Sequence, residues 1–168
     1  KQEVVAVNDM ERSVALIENT IREKEKEFSK RAITIHKKRK MRSKELSNKI
    51  VSAMADLNMD GSRFDIILNQ EENSEGFVEL NGRSYDASAK GIDRVEFYLS
   101  ANPGEPTKPL ASVASGGEIS RIMLAIKTVF QDIDPVGTLV FDEIDSGISG
   151  KAAEKVSKHL LELAQKKQ

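Results

Sequence analysis

The stretch Ala114-Ser115-Gly116-Gly117-Glu118-Ile119-Ser120-Arg121, followed by Thr138-Leu139-Val140-Phe141-Asp142-Glu143 with Asp142 24 residues after Glu118, decides how this chain is read. Ile119, Ile122, Met123, Ile126 and Val129/Phe130 recur on one face of a helix that begins just after the glycines. A glycine-rich loop opening a helix presents unpaired backbone N–H groups at the positive end of the dipole. That is a seat for phosphate, with the Ser115 hydroxyl as a further donor. Taken alone, the same residues also describe a serine N-cap on a flexible turn. Thr138–Phe141 is a short continuous apolar run of the kind found in buried parallel strands, and it stops abruptly at Asp142-Glu143. Phosphoryl-transfer sites use such an ending: one carboxylate holds Mg²⁺ through its waters, and the next orients or deprotonates the attacking water. A strand that simply ends in solvated acids is the plainer alternative. Asp145 enlarges the acidic cluster, whose spacing does not match a Ca²⁺ loop.

Downstream, Ala152, Val156, Leu160 and Leu163 mark a last helix, entered through Gly147-Ile148-Ser149-Gly150; His159 is read as a surface residue of that helix. Upstream, Asn102 to Pro109 carries three of the four prolines and reads as an irregular loop. Before it, strands are expected where Phe64, Ile66 and Leu68 alternate with polar residues, around Phe77 to Leu80, and where Val95, Phe97 and Leu99 alternate. Asn81-Gly82 is a hairpin-type turn, so this middle third reads as an antiparallel meander. Asn58-Met59-Asp60-Gly61 reads as the stop of a preceding helix whose apolar side is Leu46, Ile50, Met54 and Leu57. Further back, Val7, Met10, Val14, Ile17, Ile21, Lys24 and Phe28 keep three-four spacing, the seam of a coiled coil or a long amphipathic helix. Between the two stretches lies the basic run Lys37 to Lys44. It invites contact with DNA phosphates, but a solvated helix face is the plainer reading, since no aromatic residues interleave for base stacking.

The composition narrows the choices. Of 168 residues 32% are charged, above the ordinary quarter, which suits a long solvated helix beside a modest core. Residues 1–50 hold 14 Lys and Arg against 8 Asp and Glu, and the remainder 12 against 19, so a basic arm joins an acidic body. No cysteine and only two isolated histidines, His36 and His159, exclude disulfides, thiolate chemistry and a zinc cluster. No apolar run approaches the ~18 residues that span a bilayer, so a soluble protein without membrane association is expected, and the lack of cysteine fits the cytoplasm.

Together the two motifs resemble the signature and Walker B elements of ABC-type ATPase heads. The continuation Ile144-Asp145-Ser146-Gly147-Ile148-Ser149-Gly150, with Ser100-Ala101-Asn102-Pro103-Gly104-Glu105-Pro106, is similar to the RecN-type, SMC-like DNA-repair ATPases of bacteria. The resemblance implies an α/β fold: a partial ABC/SMC-type head, the C-terminal lobe of a P-loop NTPase, with an N-terminal coiled-coil stub and the meander. Residues 1–57 would be the returning arm and the helix entering the head, and 58–168 the lobe. It further implies ATP and Mg²⁺ as cofactors. Ser115, Gly116, Gly117 and Glu118 would face ATP bound to an opposite head, Asp142 would support the metal, Glu143 would be the catalytic base, and Asp145 would belong to the loop crossing the head dimer. Many relatives have aspartate where Ser149 stands. Implied partners are the N-terminal lobe of the same protein, a second copy, and DNA of the bacterial nucleoid.

The chain contains no Gly-x-x-x-x-Gly-Lys-Ser/Thr loop, and the family's switch histidine would follow the last helix. We therefore expect an excised piece that neither holds ATP tightly nor hydrolyses it by itself, and whose self-association would follow from the excision. A non-enzymatic coiled-coil interaction or DNA-tethering module is the alternative of a different class.

Overall fold

With no glycine or proline before Gly61, nothing in the first third of the chain interrupts a helix. The computed structural model, which describes residues 2–112 and 116–168 with side chains from Met10 onward, accordingly has one unbroken helix α1 (Gln2–Asp56). Its end is the expected one. Asn58 takes a left-handed φ of 61°, and the Asn58 and Met59 N–H groups return to the Ala55 and Met54 carbonyls at 3.1 Å each, closing the last turn.

Strands β1 (Arg63–Asn69), β2 (Val78–Leu80), β3 (Arg83–Tyr85) and β4 (Arg94–Ser100) follow, then β5 (Lys108–Pro109), α2 (Gly116–Phe130) and α3 (Lys151–Ala164). β2 and β3 form the hairpin expected from Asn81-Gly82, whose φ angles of 54° and 77° are those of a turn matched to strand twist. A second sheet has the order β1-β4-β5. The loop expectation for Asn102 to Pro109 needs a correction at its end, because Tyr98 pairs with Pro109 and Leu99 with Lys108. A proline can close a sheet edge because no ladder donor is required of it there.

A larger correction concerns Thr138–Phe141, which belongs to no strand among the described residues; Val140 is 90% exposed. A parallel strand becomes one only when neighbours take up its N–H and C=O groups on both edges. Among the described residues the partner is a single one: Leu139 N–H donates to Gln168 O at 2.7 Å and Gln168 N–H to Gly137 O at 2.8 Å. Those two bonds have the slanted pattern of a parallel bridge centred on Thr138, with α3 as the crossover.

The chain forms two compact units. One comprises residues 1–40 and 68–94, the other 41–67 and 95–168. The second has the larger core: Ile50, Met54 and Leu57 of α1 are buried with Phe64, Leu99, Ile122, Leu124, Val156 and Leu163. The expected Leu46, Ile50, Met54, Leu57 face is thus an interior face. In the first unit Ala32, Val78 and Ile92 are buried with Phe28 beside them, its ring edge-on to Phe77 at 5.5 Å. Met10, Val14, Ile17 and Ile21 of the apolar seam are exposed, and the side chain of Val7 lies outside the described residues.

Candidate functional site

Helix α2 draws the two motifs together. Its buried side, Ile122, Leu124, Ala125 and Ile126, anchors it in the core of the second unit, so its first turn is held in place from below. Against that first turn lies the acid-bearing segment. A methyl group built on Gly116 would come within 2.6 Å of Glu143 Oε2. One on Gly117, which is buried, would stand 3.0 Å from both Glu143 O and Ser146 Cβ. Gly117 thus needs glycine for close approach of its own neighbours, apart from any phosphate, whereas Gly116 meets only the movable end of the Glu143 side chain.

The segment Asp142–Ser146 is a tight turn closed by Ser146 N–H donating to Glu143 O at 2.9 Å. Glu143 stands in it at φ 53°, left-handed for a residue with a side chain. That conformation costs of order 1–3 kcal/mol and persists only where the surroundings impose it. Two side chains of α2 do so: Ser120 Oγ donates to Asp142 O at 2.6 Å and Arg121 Nη1 to Ser146 O at 2.8 Å.

The remaining expected residues are distributed as follows. Ser115 lies outside the described residues. Glu118 is half-buried in the first turn of α2, where a carboxylate suits the dipole. Asp142, Glu143 and Asp145 are all exposed, and among the described residues no three carboxylates or histidines converge as a metal cluster. Ser149 is exposed, just before Gly150 caps α3 at a φ of 56°. His159, expected on the helix surface, is instead half-buried, with Nδ1 enclosed and without a hydrogen-bond partner among the described residues.

The basic run is not uniform. Arg42 pairs with Glu45 at 2.5 Å, and Arg39 turns onto Asp93 at 3.0 Å, while Lys37, Lys38, Lys40 and Lys44 are exposed. Sequence reasoning missed the group Arg39 serves. In the first unit the Asp93 side chain is fully buried, accepting from His36 Nδ1 at 2.6 Å and Gln70 Nε2 at 3.0 Å as well. Since a carboxylate only accepts, His36 carries its proton on Nδ1 there. Burial by itself pushes the Asp93 carboxyl up, but the hydrogen bonds from His36, Arg39 and Gln70 outweigh it and hold it below the usual carboxylate range. The only sequence signal was a charged residue directly after Ile92 in a strand-rich segment.

The class defined by this architecture is an α/β lobe on a long helical arm, with a glycine-led helix packed on an acid-bearing turn. No family model matches the chain. Among curated proteins it is 43% identical over 119 residues to the DNA repair protein RecN of Streptomyces coelicolor, an alignment covering 71% of this chain and 21% of that protein. It is 60% identical over 78 residues to RecN of Treponema pallidum, covering 46% and 14%. Against RecN of Synechocystis the identity is 34% over 163 residues, covering 96% and 26%. Of solved structures, the Smc head domain with an extended coiled coil from Pyrococcus furiosus, bound to the C-terminal domain of ScpA, aligns with a TM-score of 0.45 and 24% identity. That alignment covers 76% of this chain and 28% of that one. The chain belongs to the RecN family of DNA repair proteins. It spans only about a fifth of the length of relatives such as the Streptomyces protein.

Proposed function

We propose that this chain is the C-terminal lobe of a RecN-type ATPase head, in which ATP held between two engaged heads drives work on DNA during double-strand break repair in the bacterial cytoplasm. The observation that carries this reading is the packing of the Glu143 turn against the glycines that open α2, which joins two motifs 24 residues apart in one place. Glu143 is the residue that takes a proton from the attacking water. The loop from Ser115 through Glu118 addresses the γ-phosphate of ATP on the opposite head, where free N–H groups of a helix end favour anionic oxygens.

Asp142 supports Mg²⁺, which when bound neutralises phosphate charge. An exposed single carboxylate fits an ion that keeps most of its waters and takes its other ligands from phosphates. Asp145 lies on the segment that meets the second head. The N-terminal lobe of the same protein and a second copy complete the site, and DNA is the ligand of the assembly. The expected inactivity of the isolated chain follows from the missing Gly-x-x-x-x-Gly-Lys-Ser/Thr loop. No described helix is long and apolar enough to cross a membrane.

The test is Mg²⁺-dependent ATP hydrolysis by the full-length protein, wild type against Glu143→Gln, with the isolated chain as the blank. Loss of a general base predicts a fall in kcat of about 10²–10⁴-fold with ATP still bound. Equal turnover by the two proteins would remove Glu143 from the chemistry and favour a non-enzymatic interaction module.

A further inference from the structure

We propose that Arg121 is a positioning residue for Glu143: its buried guanidinium fixes the far end of the turn on which Glu143 stands, while Ser120 fixes the near end. This rests on the reading of Glu143 as the water-activating group.

Arg121 is only 9% exposed and is followed in sequence by the buried Ile122, Leu124 and Ala125 of α2. As filling for such a place an arginine is a poor choice. A leucine or methionine occupies similar volume with no charge to desolvate. What the arginine adds is direction: Nη1 donates to Ser146 O at 2.8 Å, and Nε, enclosed as well, finds no acceptor among the described residues. A buried donor left without a partner is a feature that stability does not explain.

The neighbouring residue, Ser120, donates to Asp142 O at 2.6 Å. Consecutive residues of one helix therefore grip carbonyls at the two ends of a single turn, and Glu143 lies between them at its left-handed φ of 53°. Relaxation of Glu143 to the ordinary right-handed region would re-aim its side chain relative to the rest of the turn. Arg121 and Ser120 oppose that relaxation. Their role is to hold the carboxylate over the start of α2, where Oε2 crowds Gly116, and neither is asked to touch ATP.

The experiment is steady-state ATP hydrolysis by the full-length protein carrying Arg121→Ala, Arg121→Lys, Ser120→Ala or Glu143→Gln, with ATP binding and thermal unfolding measured on each. A misplacement of about an ångström at a reacting group lowers turnover by about 100-fold. Arg121→Ala should lose kcat on that scale with KM for ATP within about threefold. Arg121→Lys, which keeps a donor able to reach Ser146 O, should recover most of it, and the half-buried Ser120→Ala should lose about fivefold. A folded Arg121→Ala protein with unchanged kcat overturns the proposal. So does an equal deficit in the lysine variant, because then bulk or stability is at issue and not the donor. If Arg121→Ala does not fold, Ser120→Ala decides by itself, unchanged turnover counting against the proposal. If Glu143→Gln turns over normally, the underlying ATPase reading has failed, which is distinguishable from failure of the positioning role alone.

Discussion

Replacing Asp93 by asparagine should destabilise the unit formed by residues 1–40 and 68–94 by about 3 kcal/mol. The Asp93 side chain is fully buried; Oδ1 accepts from His36 and Gln70, and Oδ2 accepts from Arg39. The amide keeps one acceptor and sets its NH₂ group against a donor of either Arg39 or His36, so one charge-assisted bond becomes a donor–donor contact. A hydrogen bond to a charged group contributes about 1.5–3 kcal/mol, and breaking a buried ion pair by removing one partner costs about 3–5 kcal/mol. Arg39 is a third exposed, so water recovers part of its solvation and the estimate falls at the low end of that range. In urea, with a slope of about 1–3 kcal/mol per molar, the midpoint of this unit drops by about 1–3 M. The transition is best followed by amide protection in β2 and β3, which belong to it. Acid gives an independent check. Because the native Asp93 carboxyl is held below its ordinary range, its contribution is fully present above about pH 4 and is lost as pH falls through the native value. The wild type should show that loss and Asp93→Asn should not. A change under about 1 kcal/mol would mean that the group behaves as a solvent-screened surface pair, and the argument from burial would be wrong.

Gly117→Ala introduces a methyl 3.0 Å from the Glu143 carbonyl and Ser146 Cβ, neither of which can swing aside. Overpacking of that kind costs about 1–3 kcal/mol, to be read as a lower thermal midpoint, whereas Gly116→Ala meets only the mobile end of Glu143 and should melt near wild type. Lys30, Lys37 and Lys44 recur every seven residues on one exposed face of α1. If they neutralise DNA phosphates in the full-length protein, reversing all three to glutamate lowers the salt slope of DNA binding by about 0.9 for each phosphate no longer neutralised, and an unchanged slope assigns the lysines to solvation alone.

The parts of the fold that are local in origin were legible. Asn58 as a helix stop, Asn81-Gly82 as a hairpin and the alternating strands β1 and β4 each rest on residues adjacent in sequence. Thr138–Phe141 was not, since an apolar run becomes a parallel strand through neighbours that its own residues cannot specify, and among the described residues only Gln168 pairs with it. β5 escaped notice because two residues ending in a proline carry no periodicity. The two motifs of the candidate site were legible as types of residue, but their meeting was not. Nothing in Ser120-Arg121 as letters says that both side chains reach across to the carbonyls of Asp142 and Ser146. The Asp93 cluster was hidden for the same reason, its partners standing 57, 54 and 23 residues away.

Helix α2 therefore has two tasks that sequence reading treats as one. Its N-terminal end, opened by Gly116-Gly117, is the part that the proposed reading turns toward nucleotide on another head. About a turn further on, Ser120 and Arg121 hold the turn on which Glu143 stands. The buried residues just beyond, Ile122, Leu124 and Ala125, fasten the same helix to the end of α1 through the shared core with Ile50, Met54 and Leu57. Packed interiors shift between discrete arrangements and do not stretch. A displacement of α2 by a contact at its first turn would therefore move the Glu143 turn with it, and the last turns of the arm helix would feel the same shift. On the proposed reading, engagement of a second head and the posture of the hydrolytic carboxylate both depend on one helix position, and substitutions at Arg121 should loosen the second without disturbing the first.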